Sequence, residues 1–167
     1  VHNYPTVGLW TGSYRQLLED LGLGYDNEIR MIQLAHKLGL FTMGYVFDKE
    51  DVYKMCEAGA DVICCHVGTT VGGTTGAKKA ISLPEAAKKS QEIAEAAKEI
   101  NPDAIVLAHG GPIVSPEDTL YIYKNAPDIV GFVAGSSIER LAIENAITEY
   151  ARRFKEVKIK CKPKEGN

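Results

Sequence analysis

Three short apolar runs, at 61–66, 104–108 and 129–134, pass directly into glycine-rich loops, and each loop leads into a helical stretch. A fourth run at 40–47 ends instead at Asp48, a good N-cap for a helix over 49–58 that Gly59 stops. Strands that are apolar along their length are covered on both faces, and strands alternating with helices pair in parallel. The pattern predicts an α/β chain of parallel (β/α) units. Ligands of such folds gather at the carboxyl ends of the strands, where three loops lie here: 67–76, 109–112 and 135–137.

The helices are marked by their ends. Ser82-Leu83-Pro84-Glu85 is a capping box with proline in the first turn, and Ser115-Pro116-Glu117-Asp118 opens the next helix in the same way. A short helix is expected over 13–23 and an amphipathic one over 26–38, with Ile29, Ile32 and Ala35 inward; a long helix ends near Phe154. Glu28, His36 and the acids of 85–99 read as solvated helix faces.

The 167 residues suffice for one core. No apolar run of ~18 residues could span a membrane, and no signal peptide is visible, so a cytoplasmic protein with no membrane partner is expected. Residues 152–164 carry seven of the 19 basic residues and one of the 22 acids, leaving an acidic body that argues against nucleic acid. The expected division is a domain over 1–156 and a basic tail over 157–167. Cys56, Cys64, Cys65 and Cys161 have no metal spacing and read as reduced thiols. Val1 reads as a cut or processed start.

His66 ends one strand and enters the loop Val67-Gly68-Thr69-Thr70-Val71-Gly72-Gly73-Thr74-Thr75-Gly76. A histidine there suits proton transfer, metal ligation or a hydrogen bond to a carboxylate or phosphoryl oxygen. The alternative is a strand-end ring satisfied by a backbone carbonyl. His109 repeats the arrangement before Gly110-Gly111, where backbone can approach a ligand closely or simply turn. Ends of neighbouring parallel strands would put the rings ~5–10 Å apart. Gly135-Ser136-Ser137 precedes a helix and suits an anion on its N–H groups, although Ser136 and Glu139 also spell a capping box that would occupy Glu139. The anion-binding set is therefore Gly68, Thr69, Thr70, Gly72, Gly73, Gly110, Gly111, Gly135, Ser136 and Ser137, with His66 and His109 as proton-transfer groups. Asn3 and Tyr45 are lesser candidates. Lys78-Lys79 does not complete a phosphate-binding GxxxxGK[ST] loop, because Ala77 precedes Lys78.

Together Pro5-Thr6-Val7-Gly8, Ala58-Gly59-Ala60-Asp61, the 66–77 loop, 106–113 and 135–141 resemble the phosphoenolpyruvate hydrolase-like TIM-barrel family. The same module resembles the carboxy-terminal domain of plant virus-resistance proteins of the Tm-1 type. The resemblance runs from about Asn3 to Phe154 and implies the C-terminal half of a TIM (β/α)8 barrel, from the end of strand four through strand eight. Trp10 and the Lys78-Lys79 pair depart from the pattern. The implied activity is that of a hydrolase or lyase of a small phosphorylated or phosphono-carboxylate, such as phosphoenolpyruvate or phosphonopyruvate. A non-catalytic, anion-binding signal-transduction module acting through protein partners is the alternative. Such chemistry implies Mg²⁺, yet no strand from 40 to 135 has Asp or Glu as its last residue, Asp48 being read as a helix cap. Bare half-barrel edges imply that the missing N-terminal half, or a second copy in a homo-oligomer, completes the fold.

Overall fold

The computed structural model describes residues 1–158 of the chain; most of the basic tail lies outside the described residues. Helix α1 spans Gly12–Asp20, α2 Tyr25–Lys37, β1 Met43–Val46, α3 Lys49–Glu57, β2 Val62–His66, α4 Leu83–Ile100, β3 Ile105–His109, α5 Pro116–Asn125, β4 Gly131–Phe132 and α6 Ile143–Glu156. A 3-10 turn at Val7–Leu9 precedes α1 and a π-helical turn at Ser137–Ala142 precedes α6. The strands form one parallel sheet in sequence order, β1-β2-β3-β4. An order that never reverses is that of half a (β/α)8 barrel, whereas a doubly wound sheet reverses at a switch point. The chain also adds to the β1 edge, where His2 bridges Met43 in parallel and the Met43 N–H donates to the Val1 carbonyl at 2.8 Å.

Alternation along the strands separates two faces. Val46, Ile63, Cys65, Val106 and Ala108 belong to the buried cluster that Val52 and Met55 of α3 and Ile93, Ala94 and Ala97 of α4 complete. The residues between them, Tyr45, Cys64 and Leu107, are register partners on the opposite face, with His66 and His109 one step beyond. That face is partly uncovered, Ile105 being 45% exposed. Gly44 is dictated by packing, since a Cβ there would meet the Met55 Cγ at 2.9 Å.

The expected caps at Asp48, Ser82 and Ser115 all form. The expected capping box at Ser136 and Glu139 does not. An N-cap needs extended backbone, and Ser136 is already helical, at φ −53 and ψ −23. The last strand is also shorter than 129–134, and Glu28 is half-buried and hydrogen-bonded rather than solvated. Ile143, Ile147, Tyr150, Phe154 and Val157 form an exposed stripe along α6. Among the described residues, no helix is long and apolar enough to cross a membrane.

Candidate functional site

Parallel register makes His66 and His109 direct partners, and their ring centroids are 4.8 Å apart. His66 is 2% exposed, stacked on Phe47 at 5.0 Å and 29° between planes. Its Nδ1 accepts from the Gly68 N–H at 3.1 Å. An accepting Nδ1 carries no proton, so the neutral ring holds its hydrogen on Nε2. His109 is bound the opposite way: its Nδ1 lies 2.8 Å from the Val133 carbonyl oxygen, which can only accept. Nδ1–H therefore donates, and His109 Nε2 presents a lone pair.

Burial pushes the His66 imidazolium down to about 3, with His109 and Lys89 adding unfavourable positive charge. The His109 value is also lowered by burial, against the pull of the Val133 carbonyl. Both rings are neutral near pH 7. The pair thus offers one donor and one acceptor.

A cavity of about 270 Å³ lies against both rings, and Thr69, Thr70, Gly135 and Ser136 also line it. The N–H groups of Gly135 and Ser136 have no backbone acceptor among the described residues, while the Gly135 carbonyl takes the Ile138 and Glu139 N–H groups. That is a helical start, with donors not used by the backbone, whose first residues line a pocket. Released from any cap, Glu139 lines the same cavity. A second, charged cavity of about 680 Å³ lies on the other side of His66, with Gly68, Asp51, Lys54 and Lys89 in its wall.

The remaining loop glycines hold the loops to one another. The Gly111 N–H donates to the Gly68 carbonyl at 2.6 Å and the Val71 N–H to the Gly111 carbonyl at 3.2 Å. At Gly110, φ is +82 and a Cβ would lie 2.3 Å from the Gly68 oxygen. Gly72 and Gly73 sit against the π-helical turn and the start of α6: Arg140 Nη1 donates to the Gly72 carbonyl at 2.7 Å, and Thr74 donates twice to Glu144. Gly72, Gly73, Gly110, Gly111 and Ser137 do not line the 270 Å³ cavity.

Beneath the site lies a polar network that sequence reasoning did not anticipate. Asn3, 2% exposed, pairs with both backbone groups of Tyr45 and donates to Glu28 at 2.6 Å, while Glu28 also takes the Val7 N–H at 2.7 Å. Tyr25 donates to the same Tyr45 carbonyl. Burial raises the Glu28 carboxyl, opposed by these hydrogen bonds. The network ties the 1–8 segment to the top of β1. An asparagine opposite a strand end was the only signal for it.

A protein family described as phosphoenolpyruvate hydrolase-like matches residues 1–157. Two tomato (Solanum lycopersicum) proteins, the ToMV susceptible protein tm-1(GCR26) and the ToMV resistance protein Tm-1(GCR237), are each 48% identical over 159 residues. The match takes in 95% of this chain and 21% of each relative, so the chain spans about a fifth of their length. Among solved structures, an N-acetylmannosamine-6-phosphate 2-epimerase from Clostridium perfringens aligns at 18% identity and a TM-score of 0.46, over 76% of this chain and 47% of its own.

Proposed function

Because the chain belongs to the phosphoenolpyruvate hydrolase-like family, we propose that it contributes the proton-transfer half of a hydrolase or lyase site for a small phosphorylated or phosphono-carboxylate. The observation that carries this reading is the opposite hydrogen bonding of His66 and His109 beside one cavity. Such a pair supplies a base and a neutral donor at once near pH 7.

With phosphoenolpyruvate, His109 Nε2 takes a proton from water as the water oxygen bonds to phosphorus. The phosphorus–oxygen bond to the enol breaks, its electron pair stays on the enol oxygen, and His66 Nε2–H holds that oxygen. The free N–H groups of Gly135 and Ser136, with the Ser136 hydroxyl, hold the phosphoryl oxygens. Among the described residues no group of three or more histidine, cysteine or carboxylate side chains could hold a metal, so a full protein ligand set for Mg²⁺ would have to come from outside them. On the same reading, the α6 stripe and the open sheet face are covered by an upstream half-barrel or by a second copy.

Release of phosphate and pyruvate from phosphoenolpyruvate or phosphonopyruvate, with and without Mg²⁺, tests the proposal. Turnover that His109→Gln abolishes supports it. Tight binding with no product would favour a regulatory anion sensor, the reading that kinship to proteins named for virus susceptibility and resistance supports.

A further inference from the structure

Tyr45 stands at the centre of the aromatic groups around the cavity. Its ring centroid is 5.3 Å from that of His109, 5.8 Å from that of His66 and 5.8 Å from that of Tyr4. The side chain is 6% exposed, on the strand face that carries the two histidines, and it lines the 270 Å³ cavity. Its backbone is fixed on both sides by Asn3 and Tyr25, so the ring has little freedom to leave.

What is unusual is the hydroxyl. It makes no hydrogen bond among the described residues, and neither do the Nε2 atoms of the two histidine rings it packs against, which bond through Nδ1 alone. The one fully enclosed side-chain polar atom without a partner among those residues is Ser90 Oγ, so the Tyr45 hydroxyl is not sealed off. The residue lines the cavity. Phenylalanine would give the same ring contacts without the penalty of an unpaired phenol in a buried setting. A hydroxyl kept there without a protein partner has its partner in the cavity.

We propose that the Tyr45 hydroxyl is a third functional group of this site, donating a hydrogen bond to a negatively charged ligand oxygen, the enolate or carboxylate oxygen that His66 Nε2–H also holds. The phenol keeps its proton throughout. Burial supports that role, pushing its ionisation up to about 12, so it remains a donor at any physiological pH. With two neutral donors beside the rings, that part of the pocket suits a planar enolate or α-keto acid, while the tetrahedral phosphoryl group is taken by Gly135 and Ser136. This inference rests on the proton-transfer reading above and refines its ligand.

Oxalate, a planar stand-in for enolpyruvate, is the probe, with inorganic phosphate as the control, each titrated calorimetrically into the full chain. Tyr45→Phe should weaken oxalate about 10–100-fold, the worth of a hydrogen bond to a charged group, and leave phosphate within about twofold. In wild-type protein labelled at the tyrosine ring carbons, the Tyr45 Cζ resonance should move on adding oxalate, a readout that needs no variant to fold and that a packing role would not give. Unchanged oxalate affinity in Tyr45→Phe, or a Tyr45 Cζ signal indifferent to oxalate, overturns the inference. If phosphate release that His109→Gln abolishes is still seen in that case, the proton-transfer reading survives it. If wild-type protein ignores oxalate altogether, the inference falls, and the proton-transfer reading falls with it when phosphate release is absent as well.

Discussion

The ends of β2 and β3 look alike in sequence, an apolar run closed by histidine and followed within two residues by glycine, and their histidines are register partners. Their surroundings nevertheless set them apart. His66 turns its Nδ1 to an amide two residues ahead, in its own loop, whereas His109 reaches across to a carbonyl 24 residues away, just past β4. One ring is buried and stacked on Phe47; the other is half-buried at the cavity wall. Repetition of a strand-end motif therefore does not repeat its chemistry. The proton sits on opposite nitrogens because one ring was given a donor and the other an acceptor.

The largest expected effect would break this asymmetry in catalysis. His109→Gln removes the basic nitrogen and should lower the rate of phosphate release about 10²–10⁴-fold. His66→Gln retains an N–H donor and should lower it by about tenfold. Equal losses in steady-state kinetics would show that the two rings are interchangeable.

The second test uses pH. His66 is neutral in the fold down to about 3, while in the unfolded chain it takes up a proton near 6.5. The unfolded state then binds more protons between these values, so stability is full above about 6.5 and is lost as pH falls toward 3. The loss amounts to about 5 kcal/mol at most. Urea unfolding between pH 7 and 4 should show this slope, flattened by His66→Gln. The lowered His109 value gives the same sign, and His109→Gln should flatten the slope less, because that ring is the more exposed.

Smaller effects separate the two loops. An alanine at Gly110 would face the Gly68 oxygen at 2.3 Å as well as a positive φ, and should cost about 3 kcal/mol. At Gly68, φ is +121 but the nearest atom to a Cβ is 4.0 Å away, so only the backbone term of about 1–2 kcal/mol applies. Urea midpoints of the two variants would rank them, and the reverse order would remove the loop-on-loop packing account.

Most of the fold was legible because its signals are local. Caps at Asp48, Ser82 and Ser115, glycines at 39 and 59, and apolar runs of strand length each specify structure from a few adjacent residues. Ser136 shows the limit: its spacing to Glu139 spells a capping box, but the chain enters α6 through a π-helical turn that leaves no extended N-cap residue. Glu28 shows another. Helical periodicity put it on an outer face, and only the return of the 1–8 segment over α2 gave its carboxylate Asn3 and Val7 as partners. Gly110 and Gly111 carry positive φ as a turn demands, yet the reason, one loop zipped onto the next, lies 40 residues upstream.

By itself the sequence determined that parallel (β/α) units would form and that two histidines would stand at neighbouring strand ends, since periodicity and chain order suffice for both. Only the tertiary structure decided which nitrogen of each histidine holds the proton, that Glu139 is released to the pocket, and that the Tyr45 ring packs against both histidines at its wall. The reason is physical: a side chain's protonation and hydrogen bonding are set by whatever donors, acceptors and apolar surface surround it, and those neighbours come from segments far apart in the chain.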